Sequence, residues 1–486
     1  MWISAEICPA TPFRRYARGQ LKLPFLLARV VIIGLLKCMN VSGQHLGDNY
    51  DNEDYLQPEQ IHLSLGADET EMTVTWLTLN ATNLTAVEFG PKSGYGVRFT
   101  RRILGSMSLF TDGGSERRNL YIHRVTLKNL KPGFVYYYHC GDPDWGWSAV
   151  YWFQATRNDA TFDPRFLIYG DMGNKNGRAL STLQEEVQKT QVDAVLHVGD
   201  LAYDLADDNA RRGDQFMRQI ETIAAYVPYQ VTPGNHEYHY NFSNYDARFS
   251  MYNKQERRIN NHFYSFNIGP VHIVSISTEF YYLLQFGYRQ IKSQYDWLVR
   301  DLTEANKQEN RIQTPWIFLL GHRPMYCTNA GNSECADLNN IVRAGMPFSR
   351  AFALEPLLKK FGVDVMWAGH QHSYERIWPI FNGTVLNRTK EAYNEPQGPV
   401  HIITGSPGCE EGLSPYGPDP LRMSAFHTDH DYTFSRVHIV DKSHIDIEQV
   451  SVPTGAVVDK ISIKKALSFP KWQEPDLPLD TGVYRI

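Results

Sequence analysis

Five short segments of this chain each follow an apolar run, and each carries oxygen or nitrogen donors of the kind that hold metal ions. They read Gly170-Asp171-Met172-Gly173, Gly199-Asp200-Leu201-Ala202-Tyr203, Gly234-Asn235-His236-Glu237, Gly321-His322 and Gly369-His370-Gln371-His372. The runs before them, such as Phe166 to Tyr169, Ala194 to Val198, Trp316 to Leu320 and Val363 to Trp367, read as buried strands. In open α/β sheets, ligands bind in the crevice beyond the carboxyl ends of the strands. Donors far apart in the chain can therefore converge there, and the chain is constrained to an α/β domain whose strands end at one edge.

The intervening segments fit that domain. Ala179 to Gln191 has helical spacing and completes a strand, helix, strand unit. Tyr226 to Val231 runs into the third donor segment. Ser293 with Asp296 forms a capping-box pattern for a helix reaching about Lys307. Leu354 to Phe361 reads as a helix closed by Gly362. Further strands are expected at Val400 to Thr404, Ser435 to Val440 and His444 to Val450. This gives an α/β domain over 163–452 and a tail over 453–486. Histidines at i and i+2 share one face of a strand, so His370 and His372 reach a site beyond the strand end only if the chain leaves the strand at Gly369. The polar or mixed segments 204–215, 238–257 and 328–344 are placed to overhang the site.

Residues 57–157 follow a different style. Met72, Val74 and Trp76 alternate with Thr73 and Thr75, as in a half-buried strand. Leu130-Lys131-Pro132-Gly133 is a turn before an aromatic strand, Phe134 to Cys140. This resembles the tyrosine corner of a β-sandwich, and an all-β, fibronectin-III-like domain of about 100 residues is expected.

The donor types narrow the chemistry. Two Asp, one Asn and three His could hold almost any pair of hard or borderline cations. Tyr203, three positions after Asp200, is more selective. A phenol has a free pKa of about 10, and a hard, highly charged ion such as Fe(III) is needed to ionise it. The chain has 28 Tyr, so spacing and not abundance singles out Tyr203.

In order and type, these segments resemble those of the purple acid phosphatases, a branch of the metallophosphoesterases. That family is recognised by D-x-G, G-D-x-x-Y, G-N-H-[DE], V-x-x-H and G-H-x-H. The resemblance runs from about Pro58 to Val450. It departs only at Leu319, where the fourth pattern has Val in a strand-packing position. It implies two mixed β-sheets flanked by helices in the catalytic domain. It also implies that Asp171, Tyr203 and His372 bind Fe(III), that Asp200 bridges, and that Asn235, His322 and His370 bind a divalent ion, Fe, Zn or Mn, with one ion of each kind per subunit. Two cations about 3.5–4 Å apart would clamp the phosphate while a metal-bound hydroxide attacks in line. The implied activity is acid hydrolysis of small phosphate monoesters, with an acidic optimum.

His236 lies outside the ligand set. The resemblance places it near substrate, to bind phosphate or protonate the leaving group; the alternative is a histidine that only orients a ligand. Plant members carry a histidine pair after the fourth motif, where this chain reads Arg323-Pro324-Met325-Tyr326-Cys327. Arg323 or Tyr326 is the candidate replacement. Tyr374 and Arg376 read equally well as structural, and Glu237 as a loop anchor. Two other functions fit the sequence less well. A Zn or Mn metallophosphoesterase acting on diesters or nucleotides is disfavoured by Tyr203. A non-catalytic extracellular binding protein is disfavoured by the complete ligand set.

Composition sets the remaining bounds. A chain of 486 residues leads us to expect two domains, with an ordinary 42% hydrophobic and 21% charged content. A net charge of -5 and no long basic run argue against nucleic acid as a partner. In residues 1–44, Arg14, Arg15, Arg18 and Lys22 precede the apolar Leu23 to Leu36, with small residues at Ser42 and Gly43. This reads as a signal peptide cleaved near Ser42 to Gln44, with an uncleaved anchor as the alternative. The apolar stretch is short for a membrane span, so no stable span is expected after cleavage. A secreted or lysosomal protein follows, with sequons at Asn40, Asn80, Asn83, Asn241, Asn382 and Asn387. Cys8 and Cys38 fall in the leader. Cys140, Cys327, Cys335 and Cys409 allow three pairings, of which Cys327 with Cys335 is preferred because it closes a short polar loop; four free thiols are the alternative. The oligomeric state is left open.

Overall fold

The computed structural model describes residues 55–466, apart from 94–95, 190–191, 331–333, 338 and 418–421. The expected signal segment, Cys8, Cys38, the Asn40 sequon and residues 467–486 of the expected tail lie outside the described residues.

Two antiparallel sheets form the N-terminal domain. One is ordered Glu59–Leu65, Met72–Thr78, Asn119–Leu127, Ser106–Thr111. The other is built on Tyr151–Gln154, Val135–Asp142 and Ala86–Ser93. Their inward residues, among them Val74, Trp76, Phe89, Val125, Tyr138 and Phe153, share one buried cluster. The expected tyrosine corner is present: the Tyr136 hydroxyl accepts from the Lys131 backbone N–H at 2.9 Å.

The second domain holds two mixed sheets. The first is ordered Tyr229–Thr232, Ala194–Val198, Arg165–Tyr169, Thr433–Asp441, His444–Ser451, Val457–Lys464, and its first three strands are parallel. The second runs Tyr264–Ile268, Val271–Ser275, Trp316–Leu320, Val365–Ala368, Val400–Thr404, Tyr374–Ile377, Ser424–Thr428, with a parallel centre. Strands buried on both faces read as unbroken apolar runs, which is why the donor segments stand out at their ends. Residues of both sheets, including Ile168, Leu196, Phe318 and Trp367, join one core. The helices Leu180–Lys189 and Arg211–Ala224 pack on one side through Leu183, Phe216 and Ile220. The helices Arg289–Ala305 and Glu355–Lys360 pack through Trp297, Leu302 and Leu358.

Two expectations are corrected. The helix expected to start at Ser293 begins at Arg289. Its buried face, Ile291, Gln294, Trp297 and Leu298, starts a turn earlier, and Asp296 pairs with Lys292 at 2.5 Å instead of capping. Within the expected tail, Val457–Lys464 is an edge strand paired antiparallel with His444–Ser451. Ile461 and Ile463 are its only buried residues, and charged residues along the strand hide the alternation. Cys327 and Cys335 form a disulfide, while Cys140 and Cys409 are buried free thiols. Among the described residues, no helix is long and apolar enough to cross a membrane.

Burial keeps His62, His123 and His401 neutral. His62 and His123 are pushed down to about 4 and His401 to about 3, each chiefly by desolvation. Below their ordinary value of 6.5, the unfolded chain takes up protons that the folded chain refuses. Stability therefore falls as pH drops from 6.5 towards 4, each ring contributing up to about 1.4 kcal/mol per pH unit. Thermal melts across that window should show a falling Tm, and the slope should shrink in a His123→Gln variant. An unchanged slope would mean that His123 finds a proton-accepting partner on acidification.

Candidate metal centre

The five donor segments meet at the ends of strands from both sheets. Asp171, Asp200, Tyr203 and His370 all have left-handed backbone, with φ of 60, 50, 53 and 69°. Such residues cost roughly 1–3 kcal/mol each and persist where the surroundings dictate them, commonly at functional sites. The preceding glycines permit close approach. A Cβ on Gly369 would lie 2.3 Å from Asp171 Oδ2, and one on Gly234 2.1 Å from Asp200 Oδ1. The chain leaves its strand at Ala368, so His370 and His372 do serve one edge.

One half of the site gathers Asp171, Tyr203 and His372. The Tyr203 hydroxyl lies 3.1 Å from Asp171 Oδ1 and 2.8 Å from His372 Nε2. His372 Nδ1 donates to the Gly412 carbonyl at 3.0 Å, which leaves Nε2 turned to the site. The other half gathers Asp200, Asn235, His322 and His370. His322 Nε2 lies 3.0 Å from Asp200 Oδ2 and 3.2 Å from Asn235 Oδ1, while its Nδ1 donates to the Val198 carbonyl at 2.9 Å. Donor atoms of Asp200, His322 and His370 lie within 4.8 Å of one another. Asp171 accepts from the His370 backbone N–H at 2.9 Å, which ties the two halves together. Glu237 anchors its loop as expected: its carboxylate accepts from the backbone N–H groups of Asp200, Leu201 and Gly234, each at 2.9 Å.

The charge balance of this cluster calls for cations. Burial alone would lower both histidines, yet the carboxylates Asp200 and Asp171 raise His322 to about 10. The Asp171 and Cys409 contacts raise His372 to about 11. Burial, with Asp171 and Asp200 nearby, pushes the Tyr203 phenol well above its usual value. Here protons play the part that metal ions would take over. Two carboxylates, a phenol, an amide oxygen and imidazole nitrogens freed by Nδ1 hydrogen bonds fit a pair of metal ions.

Beside this cluster lies a cleft of about 290 Å³, lined by Asp200, Asn235, His236, His370, His372 and Glu411, among others. His236 is half-buried at its wall. Its Nδ1 lies 2.8 Å from Asp204 Oδ1 and its Nε2 3.6 Å from Glu411 Oε1. Burial lowers its pKa, but the Asp204 hydrogen bond and the Asp200 charge raise it to about 9, so the ring is an imidazolium.

Asp204 and Glu411 were not foreseen. Asp204 directly follows Tyr203, which was the available signal; Glu411 sits in a loop with no periodicity or motif to mark it. Arg323 borders the cluster. It bonds to Glu279 at 2.9 Å and Glu334 at 2.7 Å, lies 4.2 Å over the Tyr282 ring, and comes within 3.1 Å of His370 Nε2. Tyr326 does not share this position. It is buried, its hydroxyl donates to Glu355, and it accepts from the Gly383 N–H at 3.0 Å. Apolar packing of Met325 and Tyr326 turns that ring into the core. Tyr374 and Arg376 both bind Asp459, at 2.8 and 2.7 Å, so their structural reading holds. Of the sequon asparagines, Asn83, Asn241 and Asn382 are exposed, and Asn80 and Asn387 partly so.

Known proteins place this geometry. A calcineurin-like phosphoesterase family model matches residues 164–374. The N-terminal domain of purple acid phosphatases matches 58–155, and the iron/zinc purple acid phosphatase-like C-terminal family matches 398–460. The chain is 47% identical over 415 residues to acid phosphatase type 7 of Mus musculus, covering 85% of this chain and 92% of that one. It is 30% identical over 423 residues to purple acid phosphatase 21 of Arabidopsis thaliana, covering 84% and 85%. A solved purple acid phosphatase from yellow lupin (Lupinus luteus) seeds superposes with a TM-score of 0.69 at 25% identity, over 84% of this chain and 74% of that one. With three domains matched in sequence order and the seven expected donors at one edge, the chain belongs to the purple acid phosphatase family.

Proposed function

We propose that this chain hydrolyses small phosphate monoesters at acidic pH, using Fe(III) with a divalent Fe, Zn or Mn ion, in a secreted or lysosomal setting. As a family member it is a metallophosphoesterase and a phosphatase, and the family implies a binuclear centre. The observation that carries the finer reading is the Tyr203 hydroxyl between Asp171 and His372, at 3.1 and 2.8 Å. Burial, with the Asp171 and Asp200 charges beside it, raises the phenol's pKa and keeps its proton on unless a highly charged ion replaces it. Asp171, Tyr203 and His372 would hold the trivalent ion, Asn235, His322 and His370 the divalent one, and Asp200 both.

When bound, such a pair supplies charge neutralisation of the phosphate and a water acidified enough to react at low pH. The chain's own residues do the rest. Asp204 accepts the Nδ1 proton of His236 and fixes the ring, so Nε2–H faces the cleft. There it can donate to a phosphate oxygen or to the departing ester oxygen. The cleft is sized for a small ester. Exposed sequons at Asn83, Asn241 and Asn382, the Cys327–Cys335 disulfide and the basic-then-apolar first 44 residues support the secretory route.

The visible spectrum of the purified protein tests the metal assignment. A broad phenolate-to-Fe(III) band is expected, with a purple or pink solution, and it should vanish in Tyr203→Phe. A colourless protein carrying two metals would favour the Zn or Mn phosphoesterase reading.

A further inference from the structure

The hairpin joining the strands Ser106–Thr111 and Asn119–Leu127 of the N-terminal domain meets two turns of the catalytic domain. Each turn contains three consecutive non-glycine residues with left-handed backbone. The first is Asp208, Asn209 and Ala210, with φ of 50, 52 and 66°. The second is Tyr240, Asn241 and Phe242, with φ of 51, 59 and 61°. Backbone of this kind is unfavourable for side-chain-bearing residues and needs support from its surroundings.

The hairpin supplies contacts to both turns. Asn209 Oδ1 accepts from the Glu116 backbone N–H at 3.0 Å and the Ser115 hydroxyl at 3.3 Å, and its carbonyl accepts from Arg118 at 2.8 Å. Arg211 pairs with Glu116 at 2.5 Å, and Arg118 with Asp214 at 2.8 Å. Ala210 is buried against Leu77, Leu120 and Ile122 of the N-terminal sheet. On the other side, Asp112 is fully buried and accepts from Asn244 at 2.9 Å. The Tyr240 ring lies against Gly113, where an added Cβ would come within 2.3 Å of a ring atom.

These two turns flank one pair of side chains. The first lies shortly after Tyr203-Asp204 in the chain, and Arg212, just beyond it, donates to the Tyr203 carbonyl. The second follows His236. Between them, Asp204 Oδ1 binds His236 at 2.8 Å and lies 3.5 Å from His239, the neighbour of Tyr240. We propose that the hairpin over residues 112–118 is a positioning element for the Asp204–His236 pair, so that the N-terminal domain sets the alignment of a catalytic side chain it does not touch. This rests on the reading that His236 acts on substrate.

Gly113→Ala and Asn209→Ala test it, assayed with glycerol phosphate alongside metal content and the visible band. Misplacing a reacting group by a fraction of an ångström costs roughly tenfold in rate. Each variant should lose about tenfold in kcat, with KM, metal content and band unchanged. Gly113→Ala should have no further effect in a Tyr240→Ala background, because the colliding ring is gone. Wild-type kcat in both folded single variants would overturn the proposal. Loss of metal from both would also overturn it, since the hairpin would then hold the fold and not the pair. A His236→Asn protein with wild-type kcat would sink the underlying reading. A slow His236→Asn beside two unaffected hairpin variants would sink the hairpin alone.

Discussion

An Asp200→Ala protein is expected to retain neither metal ion and to lose at least about 10⁴-fold in phosphate-ester hydrolysis, down to background. Asp200 is 1% exposed, and its charge acts on both His322 and the Tyr203 phenol. Its Oδ1 accepts from the His236 backbone N–H at 2.9 Å, and its Oδ2 lies 3.0 Å from His322 Nε2. Removing the carboxylate takes away the donor expected to be shared, and it leaves buried imidazoles with less negative charge to balance a cation. Gly234 approaches so closely that a Cβ there would meet Asp200 Oδ1 at 2.1 Å. The alanine therefore also opens a gap between the second and third donor loops. Elemental analysis of the dialysed protein and a steady-state assay check both parts. Retention of two metals with activity would refute the bridging assignment, whereas loss of one ion alone would assign Asp200 to a single metal.

Much of this site was legible because its determinants are local. Each donor lies within a few residues of a strand end, and a glycine precedes it where two loops touch. Gly199, Gly234 and Gly369 would each bring a Cβ within 2.4 Å of a site side chain. The strand, helix, strand alternation then brings the loops to one edge. What escaped was set by tertiary contact. Glu411 reaches His236 from a loop after Val400–Thr404 that carries no pattern of its own. Tyr326 looked available beside His322, but the packing of its neighbours decides where it points, and they turn it inward. Ser293 and Asp296 matched a cap, yet the same i, i+3 spacing occurs inside a helix whose buried face begins at Ile291. The role of the N-terminal domain was invisible because Gly113 meets Tyr240, and Glu116 meets Asn209, across more than 90 positions of chain.

His236→Asn should separate the two jobs open to this side chain. A general acid contributes typically about 10²–10⁴-fold, and only where the leaving group needs a proton. If His236 protonates the departing oxygen, kcat on glycerol phosphate should fall by about 10²-fold or more. On 4-nitrophenyl phosphate, whose phenolate leaves without help, the loss should stay below about tenfold. If His236 instead holds the phosphate, both substrates should lose alike, with a rise in KM. The geometry favours the first outcome. Asp204 fixes the ring through Nδ1 at 2.8 Å, which leaves Nε2–H to donate in the cleft that His236 lines. Asparagine can keep a hydrogen bond to Asp204 but carries no proton of comparable acidity. Metal content should stay at the wild-type level, because only the backbone N–H of His236 contacts the Asp200 carboxylate, and the substitution keeps it. Equal kcat on both substrates in variant and wild type would leave His236 no part in the reaction.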